Sequence, residues 1–252
     1  HKIKICYYNM KLIKLNAIDS TNTFLKQLAT SEVVENFTVV SAEHQTNGKG
    51  QRGSEWLIES GKNLTFSVLY SKIANSKTNL FTLNVIVALS VVEGLQKISS
   101  KEFKIKWPND ILAENKKIAG ILIENSIKSQ TEVQSIIGIG INVNQENFEN
   151  LPQASSLCLL EQQFFDKDLL LKNVVNQLEN NLEQLNQLSE AYFWEKYHNY
   201  LFKKNIVSTF EDSNGNRFVG KIIKVTSEGK LKVQLENDSE IDFDIKEVKM
   251  LY

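Results

Sequence analysis

The chain has 252 residues, enough for one large core with a small appendage. Its 42% hydrophobic and 23% charged content are those of an ordinary globular protein, which excludes a disordered or fibrous chain. A net charge of −1 provides no basic field for bulk nucleic-acid binding. The two cysteines, Cys6 and Cys158, stand far apart without CxxC spacing, which argues for a reducing compartment and against a disulfide framework or a zinc site. The histidines (His1, His44 and His198) are too scattered to form a ligand cluster.

Residues 10–18 read as a first strand, followed by "DSTNTFLKQLA", where Ser20 or Thr21 N-caps a helix with Phe24, Leu25 and Leu28 on its apolar face. Residues 37–43 form a buried-type strand. A long irregular segment from His44 to Asn63 follows, then the strand "LTFSVLY". An irregular stretch of that length in a compact domain tends to carry function. Residues 78–98 are apolar nearly all round and read as a buried helix; its greasy run, residues 80–92, is too short to cross a membrane and is interrupted by Asn84. "FKIKW" is a strand closed by "PND". "DILAENKKIAGILIEN" gives two strands about a turn at Glu114 to Lys116, and "SIIGIGINVN" (135–144) gives another. Residues 166–188 form a helix with Leu171, Val174, Leu178, Leu182 and Leu185 in one stripe. From Lys204 onward, short β-type runs alternate with turn chemistry ("SNGN", "TSEG", "NDS"), as in a small all-β module resembling an SH3-like barrel. The N-terminus lacks the pattern of a secretion signal, so a cytoplasmic location is expected.

Five constellations stand out. "GKGQRGSEW" (48–56) concentrates glycines and cations as an anion cradle does, yet it matches neither the P-loop nor the strand–GxGxxG–helix fingerprint, and a solvated loop is an equal alternative. "KWPNDIL" presents Asn109 and Asp110 at a strand end, where a plain turn is the competing reading. Lys117 opens a strand that becomes wholly apolar, with the side-chain-free Gly120 three residues on. A solvated lysine is the ordinary alternative, but a strand glycine often marks close approach by a ligand. "GIGIN" (138–142) opens one face of a strand through Gly138 and Gly140. "DSTNT" offers small hydrogen-bonding side chains at a helix start, where a cap alone would explain them.

Taken in order, "STN", a glutamine before "GKGQRGSEW", "KWPNDI", "KIAGILIE", "GIGINVN" and a terminal β module resemble the biotin protein ligases over residues 12 to 250. The resemblance implies an α+β fold, with a class II aminoacyl-tRNA synthetase-like mixed sheet flanked by helices at residues 1–203 and an SH3-like barrel at 204–252. It implies an enzyme that condenses biotin with ATP into biotinyl-5′-AMP. The acyl group then passes to a lysine of a biotin carboxyl carrier protein belonging to a biotin-dependent carboxylase.

By the same resemblance Lys117, Lys49 and Asp110 are catalytic, and Asp110 organises Mg²⁺. Biotin falls to Ser20, Thr21, Asn22, Gln45, Lys49, Gly50, Gln51, Lys117, Gly120, Gly138 and Gly140. The nucleotide falls to Gly48, Lys49, Gly50, Arg52, Trp56, Asn109 and Asn142.

Two departures matter. The family loop more often reads GRGRRGR, whereas Lys49, Gln51 and Ser54 replace arginines here, and an ammonium does not reproduce the guanidinium fork. The chain also starts directly at the catalytic part, without the winged-helix segment of the DNA-binding members, so no DNA binding is expected. A monomer or homodimer fits equally. A lipoate or octanoate ligase or transferase of the same fold group is the alternative.

Overall fold

The computed structural model describes residues 3–7, 10–56, 59–73, 80–129, 132–149, 151–185 and 187–252, with backbone alone at 3–7, 10, 52, 72–73, 80 and 129. An eight-stranded mixed sheet is built from β1 (Ile3–Tyr7), β2 (Met10–Ile18), β3 (Val39–Gln45), β4 (Leu64–Ile73), β5 (Phe103–Lys106), β6 (Asp110–Ala113), β7 (Lys116–Ser129) and β8 (Glu132–Ile141). Its order is β1-β2-β3-β4-β8-β7-β6-β5, and only the β2–β3 pair is parallel. The helix between β2 and β3 is α1 (Thr21–Ser31), capped by the Ser20 hydroxyl, which accepts from the Thr23 N–H. The crossover it makes is what allows β2 and β3 to run parallel.

Alternation along the strands divides the sheet into two faces. Leu64, Phe66 and Val68 of β4 and Ile137, Ile139 and Ile141 of β8 face the main core. That core holds α2 (Leu80–Gln96) and α4 (Lys167–Gln184), with α5 (Glu190–Tyr200) packed beside them. Helix α2 is buried nearly all round, as its composition predicts. It meets α4 at Gly94, where an added methyl would lie 2.8 Å from the Val174 Cα, so that crossing tolerates no side chain. Helix α4 starts at the Asp166 cap, whose carboxylate accepts from the Asp168 and Leu169 N–H groups. On the opposite face α1 packs on a smaller cluster that includes Leu25, Val40, Leu69 and Ile136.

Between β8 and α4 lies the short α3 (Leu157–Glu161). The C-terminal strands β9 (Val207–Asp212), β10 (Arg217–Val225), β11 (Leu231–Leu235), β12 (Glu240–Phe243) and β13 (Val248–Leu251) form a second, antiparallel sheet in the order β12-β11-β10-β9-β13. The apolar core runs without a break from the first sheet into this one, through Phe210, Ile222, Val233 and Met250. Trp107 pins the junction, its indole N–H donating to the Gly229 carbonyl at 2.9 Å. No helix among the described residues is long and apolar enough to cross a membrane.

Several boundaries differ from the pattern-based expectation. The third strand starts at Val39 because Phe37 has φ +60°, incompatible with an extended strand. Strand β8 runs from Glu132 and stops at Ile141, so Asn142 and Asn144 leave the sheet and bond to the loops and helix that follow. Leu185 lies just past the end of α4. The segments that became β1, α3 and β13 are only four or five residues long, too short for a pattern to mark them, and α5 buries chiefly Phe193 and Tyr197.

Candidate active site

One row of residues crosses the sheet on the α1 face: Lys106, Asp110, Gly120, Gly140 and Thr65, each the register partner of the next. The row beside it holds Leu122, Gly138 and Ser67. With no side chains at Gly120, Gly138 and Gly140, the floor sinks and opens a cavity of about 640 Å³. Lys117 precedes Gly120 by three residues, an odd step that alternation would send to the other face. A bulge between β6 and β7 corrects this: Ile111 pairs with Ala119, but Leu112 pairs with Lys117. The extra residue returns Lys117 to the cavity face, with its Cε 3.5 Å from where a Gly120 methyl would sit.

Lys117 Nζ lies 2.7 Å from Asp110 Oδ1, and Lys106 Nζ lies 4.0 Å from Asp110 Oδ2. Two ammonium groups around one carboxylate leave the floor's end net positive, suited to an anion. Tyr252 closes this corner, with Lys106 Nζ 4.8 Å above its ring. Burial raises the Tyr252 phenol above its ordinary value; the Asp110 charge adds to this and Lys117 opposes it. Among the described residues no three His, Cys, Asp or Glu side chains gather as a metal site. With its carboxylate held by two lysines, Asp110 does not form a magnesium site by itself, since that ion takes one or two free carboxylates together with substrate phosphates.

The other end of the cavity is a buried hydrogen-bond cluster at the start of α1. Gln45 Oε1 accepts from the Thr21 N–H at 2.8 Å and lies 3.0 Å from Thr21 Oγ1. Ser67 Oγ is 2.8 Å from Thr21 Oγ1 and 2.6 Å from Asn22 Oδ1. An added methyl at Gly138 would lie 2.3 Å from Asn22 Oδ1, so this glycine makes room for the Asn22 amide.

Residues 48–56 fold into a small hairpin about a 3-10 turn at Gln51–Gly53. Trp56 donates its N–H to the Gly48 carbonyl at 2.9 Å, Gly50 donates to Ser54 at 2.6 Å, and Lys49 bridges Glu55. A side chain on Gly48 would meet the Trp56 carbonyl at 2.6 Å and one on Gly50 the Ser54 hydroxyl at 2.4 Å, while Gly53 has φ +84°. These glycines serve the hairpin's own close packing first. The hairpin sets the Trp56 indole on the floor, where a Gly140 methyl would lie 2.4 Å from its Cε2; its Nε1 is buried without a partner among the described residues. Lys117 Nζ sits 5.5 Å from the indole ring. Lys49 reaches Thr23 Oγ1 at 3.5 Å, and the Arg52 side chain lies outside the described residues.

The cavity thus brings together Ser20, Thr21, Asn22, Gln45, Lys49, Gly50, Gln51, Trp56, Asn109, Asp110, Lys117 and the three floor glycines. Gly48 belongs to the hairpin but is not among the residues lining the wall. Asn142 is buried with its amide donating to the Ser155 carbonyl at 3.0 Å, and Asn109 lines the wall while donating to the Ile121 carbonyl at 2.8 Å. Sequence reasoning missed Thr65, Ser67 and Lys106, ordinary strand residues that only the register marks out. It also missed the far wall, contributed by the second sheet through Ile222, Leu231 and Met250.

Comparison with known proteins gives these features a family. The biotin/lipoate A/B protein ligase family matches residues 15–142, 128 of the 252 positions. The bifunctional ligase/repressor BirA of Escherichia coli is 29% identical over 192 residues, 74% of this chain and 59% of that protein. The biotin–[acetyl-CoA-carboxylase] ligase of Mycobacterium tuberculosis is 32% identical over 168 residues, 66% of this chain and 61% of that one. The chain therefore spans about three-fifths of the length of these relatives. A solved biotin protein ligase from Aquifex aeolicus, in complex with biotin and ATP, aligns with a TM-score of 0.79 at 28% identity over 97% of this chain and 99% of that one. A match over half its length, on the strands and loop that build the cavity, means that the chain belongs to the biotin/lipoate A/B protein ligase family.

Proposed function

We propose that this protein is a biotin protein ligase. A biotin carboxylate oxygen attacks the α-phosphorus of ATP, the bond to the β-phosphate breaks, and pyrophosphate leaves. The ε-amine of a lysine on a carboxyl carrier domain then attacks the acyl carbonyl, loses its proton, and AMP departs. The relatives named for biotin ligation and the solved relative holding biotin and ATP support this reading.

The observation that carries it is the polarity of the trough. One end is a set of hydrogen-bonding groups, the buried Thr21, Asn22 and Ser67 with the half-buried Gln45, and the other is the Lys117–Asp110–Lys106 cluster. A ureido ring has N–H and C=O groups for the first end and an acid tail for the second. A dithiolane ring has neither group, so the lipoate alternative leaves the cluster unused. Lys117 offsets the charge that builds as carboxylate and phosphate are pressed together. Trp56, Lys49 and Arg52 are assigned to cover the adenylate, which hydrolyses if water enters. Magnesium belongs to this reading only as part of the nucleotide substrate. We read the second sheet as the SH3-like module and the first as the synthetase-like one.

The test is incubation with ATP, Mg²⁺ and either biotin or lipoate, with mass spectrometry of the adenylate and of a carrier domain. Biotinyl-AMP and a biotinylated carrier are expected, and Lys117→Ala should lower transfer at least about 100-fold. An adenylate formed with lipoate alone would overturn the reading.

A further inference from the structure

Glu124 ends the motif "KIAGILIE", and the chemistry above gives it no part. It stands on the cavity face of β7, two residues beyond Leu122 and four beyond Gly120. Its Oε2 is 2.9 Å from Asn22 Nδ2, across 102 residues of sequence, and its Oε1 is 3.8 Å from Lys26 Nζ. An ionised carboxylate only accepts, so the Asn22 atom facing it must be the amide nitrogen. The second proton of that nitrogen points to the Leu122 carbonyl at 3.4 Å. Asn22 Oδ1 is then fixed as an acceptor, and the Ser67 hydroxyl at 2.6 Å must donate to it. The Thr21 hydroxyl proton goes to Ser67 Oγ or to Gln45 Oε1. In both arrangements the two hydroxyl protons are used inside the protein, and Thr21 and Gln45, which line the cavity, keep oxygen lone pairs for it.

We propose that Glu124 is a positioning residue which, through Asn22 and Ser67, sets the head of the cavity to accept hydrogen bonds and so selects acids whose ring carries N–H groups. Without it only the longer contact to the Leu122 carbonyl holds the Asn22 amide in this sense, and when the amide turns over the hydroxyl protons reverse with it. This rests on the biotin reading. Biotin and ATP kinetics are compared for wild type, Glu124→Ala and Glu124→Gln, together with a biotin methylated on one ureido nitrogen.

Glu124→Ala is expected to raise the biotin KM about 10- to 100-fold, leaving kcat and the ATP KM within about threefold. Glu124→Gln, whose carbonyl still accepts from Asn22, should recover most of the loss. Preference for biotin over its N-methyl analogue should narrow in the alanine variant, and Glu124→Ala should add less than about twofold once Asn22 is alanine. A wild type that uses biotin beside an alanine variant with an unchanged biotin KM, or a glutamine variant as impaired as the alanine one, overturns the role of Glu124 alone. A wild type that adenylates lipoate but not biotin overturns both readings. Should the alanine variant not fold, Glu124→Leu, which keeps the bulk but accepts no hydrogen bond, takes its place in each comparison.

Discussion

Replacing Gly140 by alanine tests whether the glycine floor and the Trp56 indole form one working surface. The new methyl would lie 2.4 Å from Trp56 Cε2 and 2.7 Å from both Cζ2 and Nε1. Carbon atoms rest about 3.5–4.0 Å apart, so the indole must withdraw by about 1 Å. The floor cannot yield, because β8 is hydrogen-bonded to β4 on one side and β7 on the other. The hairpin can, since it is tied mainly to itself through the Gly48–Trp56 and Gly50–Ser54 bonds. The strain therefore falls on a surface element, and the fold should lose less than about 1 kcal/mol, a fall in Tm below about 4 °C. Catalysis is far less tolerant, since a displacement of about 1 Å at a reacting centre costs about 100-fold. If the proposed biotin reading holds, biotin-dependent ATP–pyrophosphate exchange should fall by about that factor while the melting curve followed by circular dichroism hardly moves. Exchange within threefold of wild type, or a Tm lowered by more than about 8 °C, would show that the assumed division between rigid floor and compliant hairpin is wrong.

Gly94→Ala should behave in the opposite way. Its methyl meets the Val174 backbone of α4, so about 2 kcal/mol of stability and about 4–8 °C in Tm should be lost with activity at 25 °C retained, as parallel melts and exchange assays will show. His198 is held neutral: burial chiefly, and the nearby Lys204 and Lys224, lower its pKa from the ordinary value near 6.5, against the pull of the Val225 carbonyl. A lowered folded pKa means that the unfolded chain binds more protons in acid. The stability contribution is complete above pH about 6.5 and is lost as pH falls through that value toward the folded pKa, by at most about 1.4 kcal/mol per pH unit. Urea midpoints at pH 7.5 and 5.5 should thus differ more in wild type than in His198→Gln, and equal differences would refute the assignment. Finally, Lys49→Arg with Gln51→Arg should slow release of the acyl-adenylate, measured by rapid filtration of labelled intermediate, because a guanidinium grips phosphate in two places where an ammonium grips in one.

Most regular elements were legible in the sequence where one physical signal dominated. Helix α2 is apolar all round and buried, and Asp166 and Ser20 cap the helices that follow them. Strands β7 and β8 are β-branched runs that pair along nearly their whole length. Helix α5 was missed because "EAYFWEKYHNY" buries chiefly Phe193 and Tyr197, too sparse a stripe to mark a face. Strand β13 was missed because its four residues take their identity from pairing with β9.

At the site, the sequence by itself determined which chemical groups are present and in what order: the small polar triplet, the glycine-rich hairpin, the lysine before its glycine, and the two-glycine strand. The tertiary structure decided which way they face and what they touch. A bulge of one residue moves Lys117 to the cavity side, and no alternation pattern reveals it, because a bulge is a property of the pair β6–β7 and not of either strand. Of the glycines of "GKGQRGSEW", which read equally as an anion cradle or a solvated loop, Gly48 and Gly50 allow the hairpin's contacts with itself and Gly53 its positive φ. Glu124 was one more charge at the end of a strand until folding set it against Asn22. Its meaning lies in a contact between residues 102 positions apart, and only the packed chain brings them together.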